Sequence, residues 1–426
     1  MRKAIVIGGK RLEGEVRVSG SKNAALPILA ATVLLSGETV LSNIPCLNDV
    51  ITMLRVLRAL GLRAEYHEPN TVKIWTNHTI KHVAPYELVT KMRASFFIIG
   101  PILARMGLAK VPLPGGCAIG SRPVDLHLKG LKALGAKVEM EHGFVIVKAD
   151  KLIGNKICFD FPSVGATESV MMAATLAEGQ TVIENAAQEP EIVDLANFLI
   201  RAGARIKGAG DNTIVIDGVS RLKGAEYSII PDRVEASTLM IAAAMTRGDV
   251  KITGALPEHI EAVIAKLKEC EVTVEVSGDS VRVRAEARPK AVDLKTSPYP
   301  GFPTDVQPQL AALLSVADGV SVVTENIFEN RFMHIHELRR MGANIKMDDK
   351  SAIITGVESL SGAPVRATDL RAGAALILAG LVADGTTVVY DVERFIDRGY
   401  EKFIEKLSSL GAKIKELGEN GESNGH

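Results

Sequence analysis

The nine residues LKALGAKVE at 131–139 decide the fold, because the chain repeats them from end to end. The pattern Leu-x-x-Leu-Gly-Ala-x-Ile-x recurs as LRALGLRAE (57–65), LIRAGARIK (199–207), LKECEVTVE (267–275), LRRMGANIK (338–346) and LSSLGAKIK (407–415). Leucines three apart suit the buried stripe of a helix. Glycine suits a left-handed residue just past a helix end, and the alternation that follows suits a strand. The glycine position falls at 61, 135, 203, 271, 342 and 411, a spacing of about 70 residues. The fourth copy carries Glu271 there and reads as degenerate.

A second pattern runs in phase with the first. An Ala-rich helix ends at a glycine and a β-rich segment follows, in LLSGETVLSNI (34–44), ARMGLAKVPL (104–113), LAEGQTVIENA (176–186), MTRGDVKITGA (245–255), VADGVSVVTEN (316–326) and VADGTTVVYDV (382–392). Each repeat therefore reads helix, strand, helix, strand, with further short strands between. One such unit cannot bury its own apolar faces. Three closing around a shared core would make a domain of about 210 residues, and six would make two.

Composition agrees with that size and narrows the function. A chain of 426 residues, 47% hydrophobic and 23% charged, is an ordinary globular protein too long for one core. Lys+Arg and Asp+Glu balance at 50 each, so no global field draws nucleic acid or an anionic membrane. Four cysteines (Cys46, Cys117, Cys158, Cys270) show no CxxC and no metal-like spacing, which reads as a reduced, cytoplasmic chain. No apolar run approaches a membrane span, and the first residues are too short in apolar character for a signal peptide. The polar tail from Glu416 reads as frayed.

The starts of the Ala-rich helices carry the functional signal. They read SGSKNAALP (19–27), MRASFF (92–97), PSVGATES (162–169), PDRVEAS (231–237), FPTDVQP (302–308) and ATDLRAGA (367–374). Ser, Asp, Thr and Pro are start signals. Lys22, Arg93 and Arg371 are not, because a cation repels the positive end of a helix dipole. Their recurrence in phase is better explained by a bound phosphate or carboxylate than by helix stability. Arg-containing turns at Glu329-Asn330-Arg331-Phe332 and Ile396-Asp397-Arg398-Gly399-Tyr400 add to that cluster.

One thiol stands apart. In Pro114-Gly115-Gly116-Cys117-Ala118-Ile119-Gly120-Ser121-Arg122-Pro123 the neighbours favour an exposed loop, and Arg122 would favour the thiolate if it folds back. Cys117 reads as a functional nucleophile or proton donor; Cys46, Cys158 and Cys270 read as small core residues. No P-loop, dinucleotide fingerprint or HExxH motif occurs, so chemistry without a nucleotide cofactor or a motif-bound metal is expected.

These residues, taken together, resemble the UDP-N-acetylglucosamine 1-carboxyvinyltransferase family of enolpyruvyl transferases. SGSKNAALPIL (19–29), PGGCAIGSRPVDLH (114–127), ENAAQEPEIVDLANFL (184–199), FPTDVQ (302–307), ENRFMH (329–334), ATDLRAGA (367–374) and IDRGYE (396–401) carry the likeness, which spans nearly the whole chain. It implies a two-domain inside-out α/β barrel, each domain three βαβαββ units, with the active site in the interdomain cleft. The implied domains are 22–229, and 1–21 joined to 230–426. It also implies a reaction: enolpyruvate passes from phosphoenolpyruvate to the 3-hydroxyl of UDP-N-acetylglucosamine, and phosphate leaves.

By that resemblance Lys22, Arg122 and Arg398 clamp phosphoenolpyruvate, with Arg331 and Arg371 beside them. Addition at C2 requires a proton at C3, and an acid for carbon must be held close. Cys117 is that acid by similarity, its sulfur also able to add to C2; Asp305 is the base on the sugar hydroxyl. Asn23, Arg93, Arg122, Pro123, Val124, Asp125, Leu126, Phe161, Ser163, Val164 and Ile327 match nucleotide-sugar positions, and Glu189 and Asp232 match positions that shape the cleft. The resemblance implies no cofactor and no metal, only small-molecule partners, and alkylation of Cys117 by the epoxide fosfomycin. The chain departs from the family at Asn48 and Phe161, where Lys is frequent, and at Phe97, where Trp is. Rival readings are the shikimate-pathway enolpyruvyl transferase, which lacks this cysteine loop; an RNA 3′-phosphate cyclase, disfavoured by neutral charge; and a non-catalytic repeat scaffold.

Overall fold

The computed structural model describes residues 2–76, 80–114 and 124–418. Cys117, Arg122, Pro123 and the last part of the tail lie outside the described residues. Among the described residues the chain divides into two compact units, one of 20–114 and 124–230, the other of 2–19 and 231–418.

In the 20–230 unit the Ala-rich segments form the central helices Lys22–Ala31, Ile99–Met106 and Val164–Ala174. Their short side chains on every face let helix pack on helix, and Gly100 is required at one such approach. A Cβ there would sit 2.4 Å from the carbonyl oxygen of Ser169. Sheets lie outside these helices, one for each repeat. Leu35–Ser42 pairs antiparallel with Thr71–Thr76, Leu108–Pro112 with Phe144–Lys148, and Gln180–Glu184 with Thr213–Asp217. Each of these second strands then pairs antiparallel with a third, such as Lys137–Glu141. Leu222–Lys223 and Glu226–Ser228, at the end of the third repeat, add in parallel to Leu35–Ser42 of the first. The unit thereby closes on itself.

The second unit repeats the plan. Arg233–Met245, Gln307–Leu314 and Leu370–Val382 are buried along nearly their whole length and pack together. Its sheets centre on Asp249–Thr253, Val320–Thr324 and Thr386–Tyr390. The last sheet shows why the amino terminus belongs here. In its neighbours the first strand pairs with the second strand of a hairpin, but here Lys413–Leu417 is the last strand among the described residues. Lys3–Ile7 takes the missing place, antiparallel to both: Ile5 opposes Val388 on one side and Lys415 on the other. Glu13–Arg17 then adds in parallel to Asp249–Thr253.

Two details differ from the sequence reading. Glu271 does not mark a degenerate copy, for it adopts φ 61°, in the same left-handed region as Gly61, Gly135, Gly203, Gly342 and Gly411. The same reversal bonds form, with Glu271 N–H donating to Lys268 O (3.0 Å) and Val272 N–H to Leu267 O (3.0 Å). The Ala-rich helices, in contrast, mostly do not end at their glycines. Only Ile99–Met106 runs straight into Gly107. In four others a hydroxyl residue closes the helix and bonds back to its carbonyls: Thr32 to Leu29 (2.6 Å), Thr175 to Met172 (2.7 Å), Thr246 to Ala242 (2.9 Å) and Ser315 to Ala311 (2.8 Å), while Leu370–Val382 passes into extended backbone at Ala383.

Candidate active site

In the 20–230 unit, Lys22 is the first residue of its helix, capped by the Ser21 hydroxyl, which accepts from Ala24 N–H (3.3 Å). Its side chain is buried, and Nζ lies 2.8 Å from Oδ2 of the equally buried Asp49. Asn48 is exposed at the start of the adjoining helix Asn48–Ala59, and Asn23 is half-buried. Arg93 opens a 3-10 turn, Arg93–Ile98, that leads into the second central helix. Ser163 caps the third through a 3.4 Å bond from Ala166 N–H, with Val164 as its first residue and Phe161 45% exposed beside it.

Buried His127 joins two of these starts. It lies three residues past Val124, in the helix Asp125–Ala133, with Nδ1 2.9 Å from Ser169 Oγ. A Cβ on Gly165 would come within 3.0 Å of the imidazole and 3.1 Å of Phe97. The contact brings the segment holding Val124, buried, Leu126, half-buried, and Asp125, exposed, beside the helix that starts at Val164.

Sequence reasoning missed Glu168, which is 1% exposed in the middle of that apolar helix. Burial, and then the negative charges of Glu191 and Glu189, raise its carboxyl well above the usual range. An acid inside an Ala-rich run was the available signal. Two cysteine readings are also corrected: Cys46 and Cys158 are exposed rather than core residues, because their short segments lie at unit surfaces. Only Cys270 is buried among these three, its thiol pushed up to about 12 chiefly by burial.

The 231–418 unit holds a denser constellation. Asp305, in the 3-10 turn Thr304–Val306, receives Arg331 Nη2 on Oδ1 (3.0 Å) and Arg371 Nε and Nη2 on Oδ2 (3.2 and 3.0 Å). Both guanidiniums are almost fully buried, and Arg371 also faces the ring of Tyr400, 5.2 Å from its centroid. Burial works against the Arg371 charge, but Asp305, Tyr400 and Asp232 outweigh it and hold the guanidinium above its ordinary range. Asp369 caps the helix bearing Arg371, and Asp232 caps Arg233–Met245.

Buried Glu325 also escaped the sequence reading. Its carboxylate accepts from the hydroxyls of Thr296 and Thr304 (both 2.9 Å) and from Ile327 N–H (2.8 Å), fixing half-buried Ile327 near the Asp305 turn. Arg398 is half-buried at the end of the turn Ile396–Arg398. The helix-start cations are thus matched by carboxylates of the protein itself, Asp49 for Lys22 and Asp305 for Arg371. Their sequence positions alone did not reveal these counter-charges.

The sequence profile of the EPSP synthase (3-phosphoshikimate 1-carboxyvinyltransferase) family matches residues 6–407. UDP-N-acetylglucosamine 1-carboxyvinyltransferase 1 of Caldanaerobacter subterraneus is 57% identical over 97% of this chain and 99% of that protein. UDP-N-acetylglucosamine 1-carboxyvinyltransferase 2 of Carboxydothermus hydrogenoformans is 56% identical over 98% of this chain and all of that one. The chain belongs to the enolpyruvyl transferase family. Among solved structures, the enolpyruvyl transferase NikO of Streptomyces tendae superposes with a TM-score of 0.86 at 26% identity, over 97% of this chain and 98% of that one. An EPSP synthase of Acinetobacter baumannii, at 20% identity and a TM-score of 0.75 over 98% of this chain and 100% of that one, shares the fold. Among the described residues no helix is long and apolar enough to cross a membrane.

Proposed function

We propose that this chain transfers the enolpyruvyl group of phosphoenolpyruvate to the 3-hydroxyl of UDP-N-acetylglucosamine, the step that opens peptidoglycan precursor synthesis. The observation that carries the reading is 54–57% identity, over nearly the full length, to transferases named for that substrate. In the reaction the C3 carbon of phosphoenolpyruvate takes a proton while the sugar oxygen bonds to C2. Loss of a proton from C3 then restores the double bond as the C2–O bond to phosphate breaks. Cys117 supplies the first proton, and Asp305 takes the one from the sugar hydroxyl. Lys22, Arg122, Arg331, Arg371 and Arg398 hold the phosphate and carboxylate of phosphoenolpyruvate. Asn23, Arg93, Pro123, Val124, Asp125, Leu126, Phe161, Ser163, Val164 and Ile327 receive the nucleotide sugar.

The arrangement around Asp305 supports this part of the reading. Two buried guanidiniums grip both oxygens of the Asp305 carboxylate and so fix its orientation. Phosphate release on mixing the protein with phosphoenolpyruvate and UDP-N-acetylglucosamine tests the proposal. Release with shikimate 3-phosphate in place of the nucleotide sugar would assign the chain to the other branch of the family instead.

A further inference from the structure

Tyr400 is almost fully buried, and its hydroxyl lies 3.1 Å from Thr238 Oγ1 and 3.0 Å from Gln309 Nε2. The direction of the first bond follows from the proton count. Thr238 has one hydroxyl proton and donates it to Val234 O at 2.7 Å, so the tyrosine must be the donor to Thr238. Gln309 Nε2 donates toward the tyrosine oxygen, and it also reaches Thr238 Oγ1 (3.0 Å) and the backbone carbonyl of Asp305 (3.1 Å). The face of the tyrosine ring meets the Arg371 guanidinium, whose other edge grips Asp305 Oδ2. One side chain therefore touches residues of all three central helices, and it lies two residues beyond Arg398.

We infer that Tyr400 is a positioning residue for the Asp305 carboxylate. It acts on the carboxylate through Arg371, whose plane the ring fixes, and on the backbone through Gln309, which holds the Asp305 carbonyl. A carboxylate on a short 3-10 turn has no regular helix to hold its angle, so these two restraints set it. A neutral, hydrogen-bonded phenol suits the task. It orients a cation without adding a second negative charge that would compete with Asp305 for the arginine. The inference rests on the reading of Asp305 as the group that meets the sugar hydroxyl.

Tyr400→Phe keeps the ring and removes the hydroxyl. Turnover is expected to fall roughly tenfold in kcat, the size of one lost buried hydrogen bond. KM for either substrate should change less than threefold, with the thermal midpoint lowered by only a few degrees, about what one buried hydrogen bond contributes. In an Asp305→Glu background, where the carboxylate is already displaced, the same substitution should cost little more. Thr238→Val should reproduce the kcat loss and Thr238→Ser should restore it, which also guards against a simple folding defect in one variant. Equal fold losses from Tyr400→Phe in both backgrounds, or no loss from it in either, would overturn the inference. Undiminished turnover in Asp305→Ala would instead overturn the reading of Asp305 on which it rests.

Discussion

Asp305 and Arg371 are 66 positions apart, and each stood out in the sequence as a charged residue at a helix start. What the sequence did not show is that they bind each other, since pairing depends on how two repeats close around their helices. Tyr400, Glu325 and Glu168 were passed over for a related reason. A tyrosine in a turn and an acid near a strand end look like surface residues until burial is known. Burial also makes Glu235 a pH-sensitive group. It lies in the first turn of Arg233–Met245, faces Lys406 and Asp232, and accepts from Ser19 N–H (2.9 Å). Burial outweighs the nearby Lys406 and pushes its carboxyl up to about 7 from 4.5. A carboxyl raised in the folded state contributes stability that is present below pH 4.5 and is lost as pH rises through about 7. Glu235→Gln should remove its share of that slope, so unfolding free energies from urea titrations at pH 5 and pH 8 should differ more in the native protein than in the variant, where buried Glu168 and Asp194 still titrate. The gap between those two differences should be on the order of 2–3 kcal/mol. Cys117 is tested chemically: mass spectrometry after fosfomycin should find the added mass on its peptide. Cys117→Asp should keep some turnover and escape labelling, because a carboxylic acid still donates a proton. Labelling at exposed Cys46 or Cys158 would count against the role given to Cys117.

At the scale of elements, the glycine signal was read correctly where it closes the outer helices and, among the central ones, only at Gly107. The outer helices need a left-handed residue to reverse into a strand at once, and even Glu271 accepts that backbone. Glutamate there carries a steric cost that glycine does not, so Glu271→Gly should raise stability by about 0.5–1 kcal/mol. A rise in thermal midpoint of a degree or more would bear this out, and a fall would mean that the glutamate side chain contributes more than the strain removes. Four of the six central helices instead end on Thr or Ser side chains that satisfy their own carbonyls, leaving the glycine to the turn beyond. Hydroxyl residues inside an apolar run gave no clear reason to choose them as the stop.

At the scale of the molecule, the plan of six repeats was legible because the same short pattern occurs six times and each copy has one surface left to bury. The closing strand was not. Lys3–Ile7 completes a sheet with strands nearly four hundred residues away, and nothing in its own five residues names that partner. Deleting residues 1–9 should therefore expose Thr386–Tyr390 and Lys413–Leu417. Hydrogen exchange would show faster labelling of both strands, while strands of the 20–230 unit such as Gln180–Glu184 keep their protection. Equal loss of protection in both units would mean that the two cores do not unfold separately.

The sequence by itself determined the repeat, the alternation of helix and strand, the Ala-rich helices that lie innermost, and the cations at their starts. All of these are local: they follow from periodicity, from backbone preference at turns, and from which side chains are small enough for close packing. The tertiary structure alone decided which charges meet. Lys22 faces Asp49, Arg331 and Arg371 share Asp305, and Tyr400 joins three helices, because closure of each unit brings separate helix starts within hydrogen-bond reach. Contacts of that kind depend on distances in space that no spacing along the chain records.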